Sequence, residues 1–88
     1  MNISKKISGL IEEIDHFSGP FIQIFSNKKV IVEDCYGINE YSSDVVRVNL
    51  VRGQLLILGC DLEIVSMEDK TVIIKGAFTS IEFSGDNL

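Results

Sequence analysis

The segment 30–83 constrains the fold of this chain more than any other stretch. It consists of short runs of β-branched and aromatic residues, and glycine, aspartate, serine and asparagine separate these runs. Runs of this length and composition form β-strands, while the residues between them favour turns. The sequence therefore predicts an antiparallel β domain over residues 19–84, followed by a frayed tail over residues 85–88.

Residues 1–18 carry a helical pattern. Apolar side chains recur every three or four positions, the spacing of one face of an α-helix, at Ile3, Ile7, Leu10, Ile11, Ile14 and Phe17. Ser18-Gly19-Pro20 ends the pattern. Gly9 destabilises a helix by about 1 kcal/mol relative to alanine, so this predicted amphipathic helix needs a docking surface, either the sheet or another chain.

The β region predicts six or seven short strands. Gly59 and Gly76 each interrupt an apolar run and predict β-bulges. The predicted strands are Phe21–Phe25, Lys29–Val32, Ile38–Tyr41, Val45–Val51, Leu55–Leu58 with its continuation at Leu62–Val65, and Val72–Lys75 with its continuation at Phe78–Phe83. Phe21–Phe25 is apolar on both faces, so we expect both of its faces to be covered.

The strand Val45–Val51 gives the clearest assignment of faces. Val46, Val48 and Leu50 alternate with Arg47 and Asn49, so the three apolar residues should be buried and the two polar ones should face solvent. The full predicted core is Val46, Val48, Leu50, Ile57, Leu62, Ile64, Val72 and Ile74. Six further apolar residues then point the opposite way and form a candidate interface: Val45, Val51, Leu56, Leu58, Val65 and Ile73. A large exposed apolar patch is rare on a monomer, so we expect self-association or a protein partner there.

The composition argues against several classes of function. The 88-residue chain has 13 acidic and 8 basic residues and a net charge of −5, which disfavours a phosphate-binding surface for nucleic acid. No apolar run is long enough to span a membrane, and residues 1–18 lack the uninterrupted apolar core of a signal peptide. The sequence thus predicts a soluble protein of a reducing compartment.

No pattern of catalytic or metal-binding residues is present. Cys35 and Cys60 lack a CxxC spacing and a neighbouring histidine, so both are expected to be buried free thiols. His16 is the only histidine, near the end of the predicted helix. The common phosphate-binding, nucleophile and zinc motifs are absent. We therefore expect no enzyme activity, no catalytic residues, no metal and no cofactor.

A ligand-binding β module is the alternative function. A small molecule or glycan bound by a β domain often stacks on an exposed aromatic side chain, and only Tyr36 and Tyr41 are placed to supply that platform. Structural roles for both tyrosines are the competing interpretation.

Six segments of the β region together resemble the YabP/YqfC family of sporulation proteins. They are IVEDCYGINEYS at 31–42, VRVN at 46–49, RGQL at 52–55, GCDLEI at 59–64, IKG at 74–76 and SIEF at 80–83. The resemblance covers residues from about 20 to 83. It implies an immunoglobulin-like β sandwich, for which a curled meander sheet is the other all-β arrangement compatible with the pattern.

The resemblance also implies a biological setting. Proteins of this family are made during endospore formation, in the mother cell, and are encoded beside a membrane protein with which they act. The expected function is thus a non-enzymatic structural or assembly protein of endospore formation. Its expected partners are further copies of the chain or an integral membrane sporulation protein, and its expected location is the mother-cell cytoplasm or the periphery of the forespore membrane.

Overall fold

The computed structural model describes residues 19–85, and every regular element in that range is a β-strand. The predicted helix over residues 1–18 lies outside the described residues, as do residues 86–88 of the predicted tail. The strands are β1 (Phe21–Phe25), β2 (Lys29–Glu33), β3 (Gly37–Tyr41), β4 (Val45–Asn49), β5 (Gln54–Glu68) and β6 (Thr71–Ser84).

The six strands form one antiparallel sheet in the order β1-β2-β6-β5-β4-β3. The all-β class is confirmed, but all strands belong to one hydrogen-bonded sheet, so the immunoglobulin-like sandwich is not confirmed. The order also departs from a meander because β6, the last strand, lies between β2 and β5. This pairing joins residues 38 to 46 positions apart along the chain, such as Val30 and Ile74.

The β5–β6 hairpin forms the long centre of the sheet, and its two ends have different neighbours. Its tip, which contains the turn at Asp69 and Lys70, pairs with β2 and thereby with β1. Its base pairs with β4 and thereby with β3. We call residues 21–33 and 63–75 the tip half, and residues 37–49, 54–58 and 80–84 the base half.

Bulges separate the two halves at the predicted positions. The β5–β6 register shifts at Gly59, where Thr79 of β6 is the extra residue, and again where Asp61 and Leu62 lie opposite Gly76. A Cβ atom on Gly59 would overlap the carbonyl oxygen of Ala77. Gly76 has φ +153, a conformation that other residues rarely adopt. Both predicted bulges are thus confirmed, and the glycines permit the close approach of the two strands there.

One hydrophobic core takes side chains from both halves. Buried residues alternate along each strand, and together with residues of the connections they form a single cluster: Val30, Val32, Cys35, Val46, Val48, Leu50, Leu55, Ile57, Leu62, Val72, Ile74 and Phe78. Seven of the eight predicted core residues belong to it, whereas Ile64 is half-buried at its margin. The predicted burial of Val46, Val48 and Leu50 is confirmed, while Arg47 and Asn49 lie on the outer face, half-buried.

Three contacts join the halves around this core. The Cys35 backbone N–H donates to the Lys70 carbonyl over 3.0 Å, and the Tyr36 N–H donates to the Asn49 carbonyl over 2.8 Å. On another side, the Ile64 N–H of β5 donates to the hydroxyl of Tyr41 at the end of β3, over 3.1 Å. The sheet therefore curls, and the inner faces of its two halves share the core.

Two burial predictions were wrong. Cys35 is buried as expected, but Cys60 is exposed because it lies between two bulges, where β5 leaves the core. Strand β1 is largely exposed on both faces, including Ile24 and Phe25, because it is the edge of the sheet.

Candidate functional site

The six residues of the predicted interface lie in three separate places. Val45, Leu56 and Leu58 are neighbours on the outer face of the base half, where Val45 lies opposite Leu58 and Leu56 lies opposite Arg47. All three are half-buried. They form one small apolar patch, which we call the β4–β5 patch.

Polar side chains cover part of the surface beside the β4–β5 patch. The Arg47 guanidinium donates to Glu40 over 3.3 Å and to Gln54 over 3.4 Å, and Gln54 donates in turn to Asn49 over 3.0 Å. This chain of contacts lies on the same outer face as the patch. The half-burial of Leu56 is thus achieved within the monomer, and the patch is smaller than the sequence predicted.

Ile73 and Val65 belong to the tip half instead. Ile73 lies opposite Ile31 on β2, and Val65 is the extra residue of the bulge between Ile64 and Ser66. The β5–β6 bulges thus place these two residues away from the β4–β5 patch, although the alternating pattern predicted one common face.

Val51 lies on a third surface, an apolar groove lined in part by the start of β1 and the end of β6. The groove has a volume of about 320 Å³, and its lining comes from three segments: Gly19, Pro20, Ile22, Leu50, Val51, Arg52 and Phe83. Val51 and Phe83 are 60% and 59% exposed, the two highest values among the large apolar residues of the described range 19–85. Arg52 is the one lining residue that carries a charge. We call this feature the terminal groove.

Among the residues that line the terminal groove, the sequence predicted only Val51 as part of an interface, and it predicted Leu50 as a core residue. Ile22 lies on β1, Leu50 and Val51 lie in the β4–β5 connection, and Phe83 lies near the end of β6. These segments meet because the sheet curls, which no local pattern records. Phe83 is the one sequence feature that could have indicated the groove, because it is an aromatic residue immediately before the polar tail.

The two tyrosines of the alternative function do not form a common platform. Tyr36 precedes β3 and Tyr41 ends it, so the strand separates them. The Tyr41 hydroxyl accepts the hydrogen bond from Ile64, whereas the Tyr36 ring faces the ammonium of Lys70 at 5.4 Å from its centre. Tyr36 lines a small depression with Cys35, Gly37, Met67 and Lys70, and Tyr41 is not part of it.

The described residues show no metal centre. Within 19–85, no three histidine, cysteine, aspartate or glutamate side chains lie close enough to hold a metal ion together. Over the same range no helix is long and apolar enough to cross a membrane.

The match to known proteins covers the whole β domain. A family model, described as the YabP family, matches residues 19–87. The chain belongs to the YabP family. No curated protein and no solved structure gives a significant match. The matched range begins at Gly19, which lines the terminal groove, and it includes every residue of that groove and of the β4–β5 patch.

Membership of the YabP family indicates a sporulation-related protein. The six-stranded antiparallel sheet described above therefore represents the architecture of a YabP-family domain.

Proposed function

We propose that this YabP-family protein is a non-enzymatic assembly protein of endospore formation that binds an integral membrane sporulation protein. It acts in the mother cell, at the periphery of the forespore membrane. The observation that carries the proposal is the terminal groove, in which Val51 and Phe83 expose most of their apolar surface beside Ile22 and Leu50. Removing such surface from water stabilises a complex by about 25 cal/mol per Å².

The lining of the groove favours a protein segment over a polar ligand. Sites for sugars and other polar molecules present several polar groups in fixed positions, whereas Arg52 supplies the one polar side chain here. Apolar side chains of a partner would fill the groove. Arg52 forms no ion pair with the described residues, so it is available to a carboxylate beside the bound segment.

Substitutions at the two most exposed groove residues test this function. We expect Val51→Asp and Phe83→Ser to abolish co-purification of the membrane partner from membranes of sporulating cells, because each removes apolar contact area and the first also buries a charge. Both side chains are exposed, so the thermal unfolding of the isolated variants should match that of the wild type.

Val65→Asp is the matched control for this test. It introduces the same charge at an exposed valine of the tip half, away from the groove, and should leave co-purification unchanged. Equal co-purification by all variants would contradict the groove as the binding surface. If no membrane protein accompanied the wild-type chain, the proposed function would be wrong.

A small apolar molecule is the second candidate for the groove. Its volume of about 320 Å³ is at the lower end of the range for ligand pockets, about 300 to 1,000 Å³. This candidate retains the ligand-binding alternative but replaces the Tyr36 and Tyr41 platform with the groove. Native mass spectrometry of protein isolated from sporulating cells would show the ligand as added mass that Val51→Asp removes. An unliganded mass for the wild type would exclude it.

A further inference from the structure

Two lysines lie directly opposite each other on the outer face of the tip half. Lys29 of β2 pairs with Lys75 of β6, and the residues that alternate with them, Val30 and Ile74, are buried on the inner face. Like charges at directly opposite positions destabilise a sheet. Lys28, immediately before β2, is also exposed. Three positive charges are thus grouped beside the β1–β2 turn of a chain whose net charge is −5.

These charges are not neutralised within the described part of the molecule. None of the three lysines forms an ion pair with residues 19–85. Glu63 of β5 lies opposite Lys75 and is exposed, so one carboxylate is near three ammonium groups without an ion pair to any of them. The Lys29 ammonium instead lies over the ring of Phe25, 4.6 Å from its centre. A bound anion would reduce the repulsion between the two opposite lysines.

Apolar side chains lie beside the lysines on the same face. Phe25 is opposite Lys29 and 45% exposed, while Ile31 and Ile73 lie opposite each other in the next row and are half-buried. We call this surface the basic face: Phe25, Lys28, Lys29, Ile31, Ile73 and Lys75. Lysines attract anionic lipid headgroups, and an aromatic side chain beside them enters the boundary between headgroups and acyl chains.

The distribution of charge gives the tip half a direction. Glu33 and Glu68 both lie opposite Thr71, and Asp69 lies in the adjoining turn, at the other end of the hairpin from the lysines. An anionic surface therefore attracts one end of the tip half and repels the other. Nucleic acid fits the basic face less well, because binding of its phosphates uses more basic groups and does not use exposed apolar side chains beside them.

We propose that the basic face binds the surface of an anionic phospholipid bilayer, with the lysine ammonium groups at lipid phosphates and the Phe25 ring among the headgroups. The basic face shares no residue with the terminal groove and contacts lipid rather than a partner protein, so this inference goes beyond the proposed function. Each lysine should contribute about fivefold to the partition coefficient, so that binding is weak and reversible.

Sedimentation with vesicles tests the charge. The wild type should sediment with phosphatidylcholine vesicles that contain about 30% phosphatidylglycerol, but not with phosphatidylcholine alone, and salt at about 0.5 M should release it. Lys29→Gln and Lys75→Gln should each lower the partition coefficient about fivefold. Lys70→Gln is the matched control, since it removes the same charge from the β5–β6 turn, and should bind as the wild type does.

A tryptophan in place of Phe25 tests the contact with lipid. The chain contains no tryptophan, so Phe25→Trp carries a single fluorophore at the basic face. Its emission should move to shorter wavelength when the anionic vesicles are added, because the indole enters a less polar environment. Tyr36→Trp, at an exposed aromatic position beside Lys70, should show no shift. Circular dichroism checks that each variant is folded, and either lysine variant carries the test if the other does not fold.

Four outcomes would overturn the inference. They are a wild type that ignores the anionic vesicles at low salt, folded Lys29→Gln and Lys75→Gln variants that bind no more weakly than Lys70→Gln, an emission of Phe25→Trp that stays unchanged on sedimenting vesicles, and a DNA duplex bound as tightly as the vesicles. The vesicles contain no protein, whereas the groove test measures co-purification of a protein partner. Failure of this inference and failure of the proposed function are therefore distinguishable.

Discussion

Tyr41 shows how one side chain can be exposed at the surface and still connect the fold. Its ring is half in solvent, yet its hydroxyl accepts the backbone N–H of Ile64 from the other half of the sheet. A strand N–H without a strand partner otherwise requires water or a side chain. Tyr41 therefore fixes the curl of the sheet at one side, which explains an aromatic residue on an edge strand without a ligand.

The hydrogen bond between the Tyr41 hydroxyl and the Ile64 N–H can be tested by substitution. Tyr41→Phe keeps the ring and removes the acceptor, so the free energy of unfolding should fall by about 1 kcal/mol in urea denaturation. Tyr36→Phe is the control, because no hydrogen bond joins the Tyr36 hydroxyl to the described residues, and it should stay within about 0.5 kcal/mol of the wild type. Equal effects of the two variants would contradict the structural role of Tyr41.

Val48 tests the register of β4. It is fully buried, and Val48→Asp would place an unpaired carboxylate in the core, so we expect a loss of at least about 3 kcal/mol or failure to fold. Val51→Asp makes the same change three residues later at an exposed position and should have an effect within about 0.5 kcal/mol. Unfolding in urea, followed by circular dichroism, measures both. A stable Val48→Asp variant would mean that the alternation of faces is wrong.

At the scale of elements, the bulges of the β5–β6 hairpin direct the rest of the fold. They interrupt the pairing of β5 with β6 midway between the base and the tip of the hairpin. Beyond them, β2 continues the sheet beside the tip, and β4 continues it beside the base. At the Gly59 bulge, the extra residue Thr79 donates its hydroxyl hydrogen to the Leu58 carbonyl over 3.2 Å. The side chain of the extra residue thus provides a hydrogen bond to the backbone of the opposite strand at the bulge.

Gly59→Ala should disrupt this region. The added methyl group would meet the Ala77 carbonyl oxygen, which belongs to the paired strand and has little freedom to move. We expect a loss of about 2 kcal/mol in the free energy of unfolding. Cys60→Ala, at the exposed neighbouring position, should be nearly neutral, and chemical denaturation compares the two. A neutral Gly59→Ala would show that the two strands separate easily at the bulge.

The same elements show what the sequence could predict. The strand positions, the two glycine bulges and the inward residues of β4 follow from local alternation and turn chemistry, which are properties of neighbouring residues. The pairing of β2 with β6 joins distant segments, and no local pattern specifies it. The errors arise at the predicted bulges because their consequences are not local: the exposure of Cys60 and the separation of Ile73 from Leu56 depend on which strands β5 and β6 meet beyond the bulges.

At the scale of the whole molecule, the two halves depend on one core. Val30, Val72 and Ile74 come from the tip half, and Val46, Leu55 and Ile57 come from the base half, yet all belong to one buried cluster. Neither half has a second layer of its own among the described residues, so neither can bury its inner face without the other. This dependence predicts a single cooperative unfolding transition.

Two matched core substitutions test that cooperativity. Ile74 and Ile57 are fully buried in the tip half and the base half, and removal of one methyl group from either, as Ile74→Val or Ile57→Val, should lower the free energy of unfolding by about 1 kcal/mol. Native-state hydrogen exchange should show the slowest amides of both halves losing the same protection in each variant, because only global unfolding opens either half. Ile73→Val, at the half-buried outer neighbour, should have a smaller effect. Protection that falls only in the half that carries the substitution would show that the halves unfold separately, and the shared core would then not be the source of stability.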